Sequence, residues 1–164
     1  MCGIVGIAGT RDVAPVILEA LKRLEYRGYD SAGIATLDEG QIARRRSPGK
    51  LNKLGAVLEV KPLHGFTGIG HTRWATHGKP NEINAHPHAT PRVAIVHNGI
   101  IENFRELKTE LAARGHVFES ETDSEVAAHL VTDLLSQGLD AEAAAKAAVT
   151  RLTGAYSIAM IFAG

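Results

Sequence analysis

The only cysteine of this chain stands at position 2, and the residues after it, Gly3-Ile4-Val5-Gly6-Ile7-Ala8-Gly9, read as a buried strand. No other feature limits the fold as much, because such a strand would hold the amino terminus still inside the protein. Methionine before a small residue is readily trimmed in cells, and loss of Met1 would make Cys2 the first residue. A terminal cysteine carries a nucleophile and a base on one residue. The thiol has a reference pKa of about 8.5 and the α-amine one of about 7.7–8.0, so near neutral pH the amine can take the thiol's proton. Gly3, Gly6 and Gly9 leave room for close approach of backbone or substrate. A lone cysteine is more commonly a small core hydrophobe, so the case for chemistry rests on stretches further along.

A length of 164 residues suits one domain with a real core. Eighteen basic residues balance eighteen acidic ones, without the basic excess that a nucleic-acid or anionic-membrane binder would normally show. One cysteine leaves no internal disulfide and suggests a reducing compartment. No basic residue precedes the apolar start, and Arg11 and Asp12 interrupt it, which is not the pattern of a signal peptide. No apolar run reaches membrane-spanning length. A cytoplasmic protein is expected.

Asp12 is a candidate helix cap, followed by Pro15 in the first turn and by Ile17, Leu18, Leu21 and Leu24 on one face. Residues 33–37 and 41–46 flank Asp38-Glu39-Gly40 as a hairpin, and Arg44, Arg45 and Arg46 read as a solvated strand edge. Leu51, Leu54 and Leu58 suggest a short helix, and residues 65–72 a strand. The long polar stretch from Arg73 to Pro91 has the length of a functional loop. A short strand over 93–96 ends at His97-Asn98-Gly99. Asn103 with Glu106, and Thr122 with Glu125, have the spacing of capping boxes before helices, and Asp140 caps a third helix running to Leu152. Residues 155–162 form a last strand. Grouped strands with helices between them predict an α+β fold, helices covering a sheet sandwich.

Two stretches are over-furnished for ordinary loops: His71-Thr72-Arg73-Trp74-Ala75-Thr76-His77-Gly78 and His97-Asn98-Gly99. Both lie at the ends of predicted strands, where a rigid sheet can aim polar groups into one site. Arg73 can clamp a carboxylate through paired hydrogen bonds. The Asn98 amide and an unhindered Gly99 N–H suit a tetrahedral oxyanion. Each has a plainer reading: a hairpin turn at Asn98-Gly99, an ion pair at Arg73, a core residue at Trp74.

These stretches, together with Cys-Gly-Ile-Val-Gly at the start, Tyr26-Arg27-Gly28-Tyr29-Asp30-Ser31-Ala32-Gly33, Ala85-His86-Pro87-His88, HNGIIEN and Glu121-Thr122-Asp123, occur in the order seen in one family. The chain resembles, over its whole length, the class II glutamine amidotransferase domain. The resemblance is closest to the branch that aminates a sugar phosphate. Amidophosphoribosyltransferase typically has glutamine where Tyr29 stands and tyrosine where Trp74 stands, and asparagine synthetase has proline at the Tyr29 position.

The resemblance implies an N-terminal-nucleophile hydrolase fold, an αββα sandwich whose C-terminal part lies beyond residue 164. The domain would continue in longer proteins into sugar isomerase domains, which this chain lacks. It implies that Cys2 attacks the side-chain amide of L-glutamine with its own α-amine as base. Asn98 and Gly99 would hold the oxyanion, Arg73 the substrate's α-carboxylate and Asp123 its α-ammonium. Trp74, Thr76 and His77 would belong to a loop closing over the substrate, and Arg27 would sit beside the nucleophile. His86 and His88 would order the structure, since this mechanism assigns them no proton transfer. No cofactor and no metal are implied, nor a nucleic-acid or membrane partner, and the longer enzyme would be a homo-oligomer. Two readings of other classes stay open. His86-Pro87-His88, with His71, His77 and His97, has spacing that a metal-dependent hydrolase could use. A non-catalytic module that binds glutamine or a partner protein would keep Arg73 and Asp123 but have no need for Cys2 at the terminus. For Asp123, stabilising the first turn of a helix is the plain alternative.

Overall fold

The computed structural model describes residues 2–74 and 78–164. The elements run β1 (Gly3–Ala8), α1 (Ala14–Leu24), a 3₁₀ turn (Glu25–Arg27), β2 (Ser31–Asp38), β3 (Gln41–Pro48), α2 (Leu51–Val60), β4 (Thr67–Arg73), β5 (His88–Ala89), β6 (Val93–Gly99), α3 (Phe104–Ala113), α4 (Ser124–Ser136), α5 (Ala141–Arg151) and β7 (Tyr156–Phe162). A four-stranded antiparallel sheet has the order β1-β4-β2-β3, and a three-stranded one the order β5-β6-β7.

Side-chain alternation explains how these pieces stack. On β6, Val93 and Ile95 pack among the residues of α3, α4 and α5, whereas Ala94 and Val96 meet Ile69, Ala35 and Ile161 of the other strands. On β2, Ile34 packs with Ile17, Leu21, Leu51 and Leu54 of α1 and α2, whereas Ala35 turns the other way. On β1, Val5 and Ile7 pack on the α1–α2 side while Ile4 joins the layer between the sheets. Three apolar clusters therefore separate four layers, helices–sheet–sheet–helices. Gly70 on β4 lets α1 settle onto the sheet, since a Cβ there would come within 2.4 Å of Ile17 Cγ2.

The expected α+β sandwich is what forms, with four differences in detail. Asp12 does not cap α1, whose preceding residue is Val13. Its carboxylate instead accepts from the Gly65 N–H and pairs with His64 Nδ1, each at 2.9 Å. Neither capping box closes. Asn103 precedes α3 but accepts from the Thr153 N–H and donates to the Arg151 carbonyl, and Glu125 accepts from the Glu119 and Ser120 N–H groups. Asp140 does cap α5, accepting from the Ala143 N–H at 2.8 Å. The arginine run on β3 is no solvated edge: Arg44 donates to the Pro87 carbonyl and Arg46 to those of Ile83 and Ala85, pinning that segment against the sheet. Burial brings Arg46 down to about 10. Finally, Asn98-Gly99 is not a turn but the end of β6, where the pair opposes Ser157 and Tyr156 of β7.

Candidate active site

The layer between the sheets changes character along its length. On β4 the residues of one face are Ile69, His71 and Arg73, and on β6 they are Ala94, Val96 and Asn98. Both rows run from apolar to polar toward the same end. Because β1 pairs antiparallel with β4, with Gly3 opposite Thr72, Cys2 arrives at that end beside Arg73. The Gly3 N–H donates to Thr72 Oγ1 at 3.1 Å, which fixes the strand just after the cysteine.

A cleft of about 370 Å³ opens there, lined among others by Cys2, Arg27, Arg73, Trp74, Asn98, Gly99 and Asp123. The Trp74 N–H donates to Cys2 Sγ at 3.2 Å, and the Asn98 amide nitrogen donates to the Cys2 carbonyl at 3.2 Å. Arg73, only 3% exposed, donates to the carbonyls of Gly78 and Lys79 at 3.2 and 3.3 Å and lies 3.9 Å from Asp30. Burial lowers its pKa, opposed by Asp30, Cys2, Asp123 and Glu121, and the guanidinium stays charged. Asp123 stands at the N-terminus of α4 but makes no capping bond to it. Its Oδ2 accepts from the Ile101 N–H at 2.8 Å. A cation and a carboxylate thus line one cleft with a thiol, an arrangement suited to a zwitterion carrying a reactive group. Gly99 has φ +117°, and a Cβ there would meet the Ala155 carbonyl at 2.2 Å, so only glycine closes this edge of the cleft.

Seven of the expected residues therefore come together, from five separate parts of the chain. The other two, Thr76 and His77, lie outside the described residues, as does Met1. Ile100, Thr122 and Ser124, none of them expected as site residues, complete the lining together with His86 and His97. Ser124 could have been suspected from its place beside Asp123; its hydroxyl meets His97 Nδ1 at 2.8 Å.

Four histidines underlie the cleft, all buried. His71 Nε2 meets Asn98 Oδ1 at 2.8 Å, and His88 Nε2 meets Thr122 Oγ1 at 3.0 Å. His86 stacks on His71 with ring centroids 4.1 Å apart. Burial depresses all four, His71 to about 4. Among the described residues no group of three or more His, Cys, Asp or Glu side chains is arranged to hold a metal ion.

Two antiparallel sheets between helical layers, with the cysteine delivered by the first strand, form the architecture of the N-terminal-nucleophile hydrolases. Within that class the chain belongs to a glutamine amidotransferase family: the model described as glutamine amidotransferase domain matches residues 71–163, more than half of the chain. A protein of Gluconobacter oxydans named glutamine–fructose-6-phosphate aminotransferase (isomerizing) is 67% identical over 99% of this chain. A protein of the same name from Bradyrhizobium diazoefficiens is 62% identical over the whole chain. The chain spans 27% of the length of each. Among solved structures, the glutamine phosphoribosylpyrophosphate amidotransferase of B. subtilis matches with a TM-score of 0.84 and 26% identity, over 99% of this chain and 35% of that one. The two levels of identity agree with the expectation from Tyr29 and Trp74, placing the chain nearer the sugar-phosphate aminotransferases than the amidophosphoribosyltransferases. No helix among the described residues is long and apolar enough to cross a membrane.

Proposed function

We propose that this chain hydrolyses L-glutamine to glutamate and ammonia through a thioester on Cys2. The observation that carries the reading is the convergence of Cys2, Arg73, Asn98 and Asp123 on one cleft. Arg73 takes the substrate's α-carboxylate and Asp123 its α-ammonium, which leaves the side-chain amide pointing at the thiol. The α-amine of Cys2, free once Met1 is removed, accepts the thiol proton. The sulfur adds to the amide carbon, and the oxyanion is met by the Asn98 amide and the Gly99 N–H. Collapse breaks the C–N bond, and the amine returns its proton to the leaving ammonia. Water then hydrolyses the thioester to glutamate. Arg27 borders the nucleophile, and Trp74, with Thr76 and His77, covers the bound substrate.

In a longer protein of the kind its relatives represent, the chain is the glutaminase domain, extended beyond residue 164 and followed by sugar isomerase domains. There its ammonia converts fructose 6-phosphate to glucosamine 6-phosphate in a cytoplasmic homo-oligomer. The test is glutamate production by the chain before and after aminopeptidase removal of Met1, with intact mass following both trimming and labelling by a glutamine-like electrophile. Activity and a single label are expected only in the trimmed form, and neither in Cys2→Ala. Equal glutamate production with and without Met1 would show that the α-amine is not the base.

A further inference from the structure

His71 has no role in the reaction as written, yet it holds a group that does. It is fully buried on β4, two residues before Arg73 and on the same face. Its Nε2 lies 2.8 Å from Asn98 Oδ1 and 3.0 Å from the His97 backbone carbonyl. A carbonyl only accepts, so Nε2 must carry the ring proton. With the proton there, the Asn98 amide must turn its oxygen toward His71 and its nitrogen away, to where it donates to the Cys2 carbonyl at 3.2 Å. An amide side chain has two nearly isosteric orientations, and the reversed one would aim a carbonyl oxygen at the nascent oxyanion. The tautomer is therefore dictated by the backbone of β6 and relayed through one imidazole to the orientation of Asn98. Among the described residues His71 Nδ1 has no hydrogen-bond partner, and the ring stacks on His86, so no group at Nδ1 competes for the single ring proton. Burial also keeps the ring neutral through the working pH range.

We propose that His71 is a positioning residue for the oxyanion hole, acting as a fixed Nε2–H donor that locks the Asn98 amide with its nitrogen toward the reacting carbonyl. This rests on the reading of Asn98 as an oxyanion donor. A structural core histidine would support folding; a positioning residue supports the transition state. The distinguishing pair is His71→Leu, which removes the donor, and His71→Gln, whose amide nitrogen falls near the place of Nε2.

In the chain freed of Met1, His71→Leu should lower kcat for glutamine by about 10- to 100-fold with KM within about twofold, because an oxyanion contact exists only in the transition state. His71→Gln should recover most of the loss. Alkylation of Cys2 by iodoacetamide, which forms no oxyanion, should proceed at the wild-type rate in both. Equal losses in the two variants, a loss carried mainly by KM, or slowed alkylation would overturn the proposal. Imidazole ¹⁵N spectra of the wild-type chain give a readout that needs no activity. They should show His71 as the neutral Nε2–H tautomer at pH 7, and a bare Nε2 would end the idea even if His71→Leu failed to fold. Should the trimmed wild type lack glutaminase activity, the functional reading falls, while the spectra still decide the tautomer.

Discussion

Arg73 and His71 stand two residues apart on one face of β4, yet they belong to opposite kinds of polar environment. Arg73 reaches the open end of the layer between the sheets, where Asp30, Asp123 and Glu121 offset the cost of its burial and keep it charged. His71 lies one step inward, stacked on His86 with His97 nearby, where no carboxylate offsets its burial and it stays neutral. The same strand thus supplies a binding charge and, behind it, an uncharged hydrogen-bond donor. Neutrality in the second row is useful: a charged imidazole there would compete with Arg73 for the substrate's carboxylate. Substitution in the outer row should therefore alter function with little change in stability, and protonation in the inner row should alter stability first.

The largest effect expected is at the outer row. Arg73→Ala should reduce kcat/KM for glutamine by about 10²- to 10³-fold, from loss of a charge-assisted carboxylate clamp. Asp123→Asn keeps an acceptor for the Ile101 N–H while removing the charge, and should cost about tenfold or more in kcat/KM, with an unchanged melting temperature. Steady-state kinetics beside thermal melts check both. Loss of fold in Asp123→Asn would merge the two rows and remove the contrast.

A smaller, graded effect is expected at the inner row on acidification. The folded pKa values of His71, His86, His88 and His97 are depressed by burial, while the unfolded chain titrates near the ordinary value of about 6.5. Below that pH the unfolded state binds more protons than the folded one. Stability is therefore complete above about pH 6.5 and is lost as the pH falls toward the folded values, with a limiting slope of about 1.4 kcal/mol per pH unit for each histidine. Urea midpoints between pH 7.5 and 5 should show this fall, and His86→Leu should make it shallower. A flat profile would mean that the inner row is hydrated.

The smallest effect is at the surface, with the opposite sign. His64 pairs with Asp12, and this hydrogen bond raises the histidine's pKa and lowers the aspartate's. The histidine's contribution is present below its unfolded value of about 6.5 and disappears as the pH rises through its raised folded value. The aspartate's contribution is present above about 3.8 and is lost as the pH falls. His64→Ala should thus lower the melting temperature slightly near pH 5 and leave it unchanged at pH 9. A larger effect at pH 9 would show that the ring acts by packing rather than by charge.

The sequence by itself determined the strands and helices wherever one face repeats, as in Ile17 and Leu21 of α1 or Val93 and Ile95 of β6, because burial of a stripe needs only the local period. It also marked Cys2, Arg73, Asn98 and Gly99, whose residue types suit their chemistry, whereas Asp123 entered only through the family resemblance. Caps were less legible. Asp12, Asn103 and Glu125 have the right spacing to cap helices, but Asp12 and Asn103 found partners in distant segments and Glu125 turned to the N–H groups of Glu119 and Ser120 just ahead of its helix. The arginines of β3 look solvated until the segment around Pro87 is laid across them. What only the tertiary structure decided is the use of the histidines. A lone imidazole can donate, accept or carry charge, and its local sequence does not choose among these. For His71 the choice follows from the backbone carbonyl of His97 in the opposite sheet and from the exclusion of solvent around both.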